Sequence, residues 1–205
     1  MKIKDFLNQQ LLKNIEEVQE KIDTKEYEFK VNQVLKIFNG SVSREEIIKD
    51  VKTSKISALY FAKNPIKQNI TEPLVLSKLQ EYNPTFCKVP TNTNESIRID
   101  ESGNLVYGKK PKNSIKLSKS VDYKAIINDK TYYFAQKYTT GMGGGQDNQL
   151  NDAVYFVNCG LANKNRDYGL GMILDGDYYD DKLSSLKSEY AKYNDVLILS
   201  VEKDL

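Results

Sequence analysis

The pentapeptide Tyr133-Phe134-Ala135-Gln136-Lys137 carries the most chemically suggestive spacing in this 205-residue chain. Side chains on a strand alternate faces, so Ala135 and Lys137 point one way and Gln136 the other. Asp122 opens the segment expected to pair antiparallel with this strand, which brings its carboxylate to the face of Lys137. A carboxylate beside a lysine suits phosphoryl chemistry. Magnesium takes hard oxygen ligands and keeps several waters, so two carboxylates plus a phosphate oxygen hold it, and a nearby lysine orients the attacking water. One acid and one lysine converge here; alanine stands where the second carboxylate is needed.

Composition removes the competing chemistries. The chain has no histidine, which excludes Ser-His-Asp and Cys-His machinery, HExxH zinc sites and imidazole acid-base catalysis. Cys87 and Cys159 lie far apart without CxxC spacing and read as buried free thiols. The glycine run Gly141-Met142-Gly143-Gly144-Gly145 lacks the Lys-Ser or Lys-Thr of a P-loop and the context of a dinucleotide-binding turn. Its amides still suit a phosphate at a following helix N-terminus. No apolar run reaches the length of a membrane span, and the N-terminus has no signal-like core, so a cytoplasmic protein without a membrane partner is expected.

The net charge of +2 hides a segregation along the chain. Residues 109 to 137 hold eight lysines against Asp122 and Asp129, whereas Asp167, Asp175, Asp177, Asp180 and Asp181 crowd a later stretch. The first stretch is what a phosphate-facing surface requires, although a solvated lysine-rich face has the same composition. The aspartates suit a turn, with Asp180 capping a helix, better than a calcium loop, because no glutamate closes them at the EF-hand distance. Tyr107, Tyr132 and Tyr138 are the tyrosines placed to contact nucleic acid.

Asp122 followed by Phe134-Ala135-Gln136-Lys137 resembles the hairpin signature of PD-(D/E)xK nucleases, whose small type II restriction enzymes often read Phe-Ile-Glu-Gln-Lys. Residues 62 to 69, with Glu72, resemble an Asn-, Gln- and Lys-rich element ahead of that core, and the glycine turn into Gln146 resembles its loop and helix. The resemblance implies a Mg²⁺-dependent endonuclease that acts as a homodimer on a short palindrome in double-stranded DNA. Catalysis falls to Asp122, position 135 and Lys137, and metal binding to Asp122 and position 135. It implies DNA contacts from Lys63, Asn64, Lys67, Gln68, Asn69, Thr139, Thr140, Gly143, Gly144, Gly145, Gln146 and Asn148. Ala135 departs from the pattern. Either it is an inactivating replacement of glutamate, the favoured reading because Lys137 and its surroundings are intact, or the acid has moved to Asp129, Asp147 or Asp152. A non-catalytic DNA-binding or regulatory protein with a degenerate nuclease fold is the alternative, and a calcium-assisted interaction module a third.

The elements that position these residues follow from periodicity. Apolar residues at three- and four-residue spacing predict helix over 3–38, ended by Asn39-Gly40. Ser43 and Glu46 form a capping-box pattern opening a short helix, and 56–82 reads as helix in pieces broken at Asn64-Pro65 and Glu72-Pro73. A hairpin of 97–99 with 105–107 is expected, then strands 121–127 and 131–138 around a turn, a helix over 146–157, a strand at 169–174, a helix over 181–193 and a strand at 196–201. The sum is an α/β (α+β) protein with a mixed-sheet core of restriction-endonuclease type at 83–205 and a helical lobe at 1–82.

Overall fold

The computed structural model describes residues 2–65, 70–110, 116–139 and 144–205. It divides into two compact units, Met1–Thr71 and Glu72–Leu205.

The first unit is helical. The expected long helix is two, α1 (Ile3–Lys21) and α2 (Glu28–Phe38). Thr24 makes the break: its hydroxyl donates to the Lys21 carbonyl at 2.7 Å, and Tyr27 N–H bonds back to the Thr24 carbonyl at 3.2 Å. Ile22 and Tyr27 are buried on either side of the turn, so apolar spacing runs through it. Asn39 and Gly40 end α2 with φ of 46° and 83°, the left-handed stop that Asn-Gly accommodates. In α3 (Arg44–Thr53) the Ser43 hydroxyl accepts from Glu46 N–H at 3.1 Å while the Glu46 carboxylate accepts from Ser43 N–H at 2.7 Å, the predicted capping box. Ser54 caps α4 (Lys55–Phe61) in turn. Val18, Ile22, Val31, Ala58 and Phe61 fill the core of this unit.

The second unit opens with α5 (Thr71–Tyr82). Pro73 begins this helix instead of breaking it, because first-turn residues need no N–H donor. The helix belongs to the sheet unit, so the division falls before the expected break after residue 82. Gln80 Nε2 donates to the Phe86 carbonyl at 3.0 Å, and the Tyr123 hydroxyl lies 3.4 Å from the Glu72 carbonyl.

A five-stranded mixed sheet has the order β1-β4-β5-β6-β7, from β1 (Cys87–Lys88), β4 (Tyr123–Ile127), β5 (Lys130–Tyr138), β6 (Gly169–Asp175) and β7 (Val196–Leu199). The first three strands are antiparallel neighbours, and β5, β6 and β7 run parallel. The predicted hairpin β2 (Ile97–Ile99) and β3 (Leu105–Tyr107) forms a separate ribbon. The long helix α6 (Gly144–Ala162) makes the crossover that parallel β5 and β6 require. In place of one helix over 181–193 there are α7 (Asp177–Asp180) and α8 (Leu183–Tyr190). Asp180 does not cap: it lies within α7, which starts after Gly176 at φ 100°, and it pairs with Lys203 at 2.9 Å.

Apolar side chains pack on both faces of the strands. Tyr133, Ala135, Leu170, Met172 and Leu174 cluster with Ala153, Phe156 and Val157 of α6. Phe134, pointing the other way, meets the Phe86 ring at a centroid separation of 5.0 Å. Across the parallel pair, Tyr132 sits opposite Gly169 and Phe134 opposite Gly171. A Cβ at either glycine would run into the facing ring. Cys87 and Cys159 are free thiols, the second buried. Among the described residues no helix is long and apolar enough to cross a membrane.

Candidate active site

Asp122 lies one residue ahead of β4. The register pairs Tyr123 with Phe134, so Asp122 falls opposite Ala135. Its backbone is pinned on both sides: Val89 N–H donates to its carbonyl at 2.9 Å, and its own N–H donates to the Phe134 carbonyl at 2.9 Å. The side chain then continues the ladder where the strand stops, Oδ2 accepting from Gln136 N–H at 2.7 Å. Lys137 Nζ lies 4.0 Å from the same oxygen. The two residues that the period-two reading put on one face therefore meet as an ion pair, each more sheltered than exposed.

Two further charges complete the cluster. Glu72, in the first turn of α5, pairs with Lys88 at the end of β1. Burial raises the Asp122 carboxyl above its ordinary pKa and Glu72 pushes the same way; Lys137, Gln136 N–H and Lys88 oppose them. Two carboxylates and two lysines thus share one field. Carboxylate oxygens are the hard donors that Mg²⁺ takes, but only these two carboxylates share the field, each facing a lysine, and among the described residues no group of three or more such donors gathers. Sequence reasoning noted Glu72 only within an upstream element. Its approach to Asp122 depends on the docking of α5, for which local spacing carries no signal.

Ala135 is 5% exposed and its methyl group belongs to the apolar cluster beneath α6. It offers no ligand. The three candidates for a displaced acid are otherwise engaged or distant in the hairpin. Asp129 is in the β4–β5 turn at φ 62°, at the other end of the strands from Asp122. Asp147 accepts from the Tyr178 hydroxyl, and Asp152 pairs with Lys119.

The residues expected to contact DNA are scattered in kind. Lys63 pairs with Glu26 at 3.3 Å and, like exposed Asn64, belongs to the first unit. Lys67, Gln68, Asn69, Thr140 and Gly143 lie outside the described residues. Gly144 and Gly145 open α6, followed by half-buried Gln146 and exposed Asn148. Thr139 is buried, its N–H donating to the Asp175 carbonyl at 3.1 Å, so it does not present itself to a ligand as expected. The lysine stretch is not one free stripe. Lys116, Lys119, Lys130 and Lys137 pair with Glu101, Asp152, Asp195 and Asp122. Lys109, Lys110 and Lys124 are exposed. Of the three tyrosines, Tyr107 is exposed, whereas Tyr132 is buried over Gly169 and the Tyr138 hydroxyl is buried.

Asp175 ends β6 almost wholly buried, its Oδ1 accepting from the Ser200 hydroxyl at 2.8 Å and Glu202 N–H at 3.1 Å. Burial, only partly offset by these bonds, pushes its carboxyl up to about 6. It stands as an inward anchor between β6 and the end of β7, not as part of a calcium loop.

No known family model matches this chain, and no curated protein matches it. Among solved structures, the crystal structure of protein VC1899 from Vibrio cholerae aligns at 11% identity with a TM-score of 0.32, over 95% of this chain and 53% of that one. The chain thus spans about half the length of that protein, and a superposition this loose carries no argument about fold or function.

Proposed function

We propose that this chain is a Mg²⁺-dependent nuclease of the PD-(D/E)xK type, a type II restriction endonuclease acting on double-stranded DNA as a homodimer in the cytoplasm. The observation that carries the reading is the meeting of Asp122 and Lys137 at 4.0 Å on one sheet face, with position 135 directly across from Asp122. Asp122 and Glu72 would hold the cation, which supplies Lewis-acid polarisation of the phosphoryl oxygen when bound. Lys137, half-sheltered and already aligned by Asp122, orients the attacking water and steadies charge growing on the phosphate. Burial of the pair strengthens both effects, since fixed charges act more strongly where water is scarce.

The missing acid at 135 leaves the cation under-held, so the chain binds DNA and cuts it poorly. A second reading, a DNA-binding protein without catalysis, is favoured by the packing of the Ala135 methyl group into the apolar cluster. A plasmid digest at millimolar Mg²⁺ separates the two. Ala135→Glu is expected to produce Mg²⁺-dependent cleavage, and Ala135→Glu with Lys137→Ala to lose it by a factor of about 10² or more. An Ala135→Glu protein that is folded, binds DNA and leaves every plasmid intact sinks the nuclease reading.

A further inference from the structure

Among the described residues, most of the large exposed apolar side chains lie on the first unit. α2 and α4 each bury one face in the core, through Val31 and Val34 and through Ala58 and Phe61. Surface helices turn polar residues outward; these two turn outward Phe29 at 72% exposure, Ile37 at 71%, Ile56 at 85% and Tyr60 at 64%. Phe29, Ile37 and Tyr60 line neighbouring hollows, and exposed apolar groups gathered in this way mark an association surface.

The relief of this surface is specific. A hollow of about 610 Å³ runs between α2 and α3, with Val34, Phe38, Ile47 and Phe61 in its lining and Glu46 and Asp50 on its α3 wall. Ile37 and Tyr60 also line it, and the same two residues line a second, shallower hollow reaching Phe29, Gln33 and Lys36. Crossing the surface one meets an acidic lip, a groove, the Ile37–Tyr60 ridge, and then a basic residue.

We propose that this face binds a second copy of the chain, the ridge of each entering the groove of the other. A twofold axis in the contact plane, placed between ridge and groove, exchanges the two features. The same operation brings Lys36 of each copy over the Glu46 and Asp50 lip of its partner, so one symmetry element satisfies both shape and charge. A partner of single-signed charge matches only half of that pattern. The inference names the surface for the homodimer in the proposed function, yet it rests on the helical unit alone: cleavage can fail while this dimer stands, and the reverse.

Sedimentation equilibrium of the full chain tests it, with far-ultraviolet circular dichroism as the folding control. Wild type is expected to dimerise at micromolar concentration. Ile37→Asp, at an outward position that leaves the core intact, is expected to weaken dimerisation by roughly a hundredfold or more, because a central anchor occurs twice in a twofold interface. Lys36→Asp and Asp50→Lys should each weaken it by about tenfold, and the double variant should recover most of the loss. A wild type that stays monomeric, a folded Ile37→Asp protein that dimerises like wild type, or charge changes that do not compensate would each overturn the proposal. A monomer that instead pellets with lipid vesicles or copurifies with another protein overturns it too.

Discussion

Two aspartates in this protein are held differently, Asp122 half-buried among charges and Asp175 buried among hydrogen bonds. Asp122 shares its field with Lys137, Lys88 and Glu72, so its charge is balanced by lysines that a phosphate can also engage. Asp175 is tied down by a hydroxyl and backbone amides, with no lysine or arginine among the causes of its shift, and its carboxyl sits near 6 instead of 3.8. The sign follows from that elevation. A carboxyl whose pKa is raised by folding disfavours the folded state once ionised, so stability grows as pH falls from 7 through 6 and the gain is complete near pH 4. The ionised form costs about 3 kcal/mol at neutral pH, from a displacement of about two units at 1.36 kcal/mol each. Asp175→Asn keeps the Oδ1 acceptor and removes the charge. It is expected to raise the melting temperature at pH 7.5 by several degrees and to reduce the rise that wild type shows between pH 7.5 and 5. Asp122 shifts in the same direction, so the reduction is partial. A thermal denaturation series with no change in pH dependence would remove Asp175 from the account.

The β4–β5 hairpin is the element that makes the candidate site, and it was the most legible in the sequence. Asn128 and Asp129 adopt φ of 48° and 62°, the pair of positive angles that a two-residue turn imposes and that these residues tolerate. Period-two alternation then fixes which residues share a face. Asp129→Gly relieves a left-handed aspartate and should stabilise the second unit by up to about 1 kcal/mol in urea denaturation, without changing DNA affinity. A destabilised variant would mean that the Asp129 side chain supports the turn. Other elements were less legible for physical reasons. The break between α1 and α2 is built from Thr24, a residue that bonds to backbone in many settings, while Ile22 and Tyr27 keep the apolar rhythm across it. The start of α5 is hidden because Pro73 breaks a helix interior yet suits a first turn. The influence of Glu72 on Asp122 is not legible either, because only tertiary packing carries α5 to the strand ends. The burial of Thr139 was equally invisible, since it comes from the register of β5 against β6.

At the scale of the whole molecule, the charge of the lysine-rich stretch is partly spent internally. With Lys116, Lys119, Lys130 and Lys137 each paired to a carboxylate, the exposed lysines that this stretch offers to a phosphate, among its described residues, are Lys109, Lys110 and Lys124. Each neutralised phosphate adds about −0.9 to the slope of log affinity against log salt, so three lysines give a slope of about −3. Fluorescence anisotropy on duplex DNA between 50 and 300 mM salt, roughly, reads this directly. A flat line excludes nucleic acid as the ligand, and a much steeper one implies that the ion pairs open on binding. The facing of Tyr132 and Phe134 onto Gly169 and Gly171 has its consequence at this scale as well. Two rings seated in two notches act as a key, and a key fits at one setting only. Sliding β6 by one residue would put Leu170 or Met172 where a notch is needed, so the lengthwise setting of β5, and with it the height of Lys137, is indexed by groups outside the candidate site. A methyl group added at Gly171 would act as a shim in that keyway, shifting Lys137 against Asp122 from within the sheet while every residue of the candidate site stays unchanged.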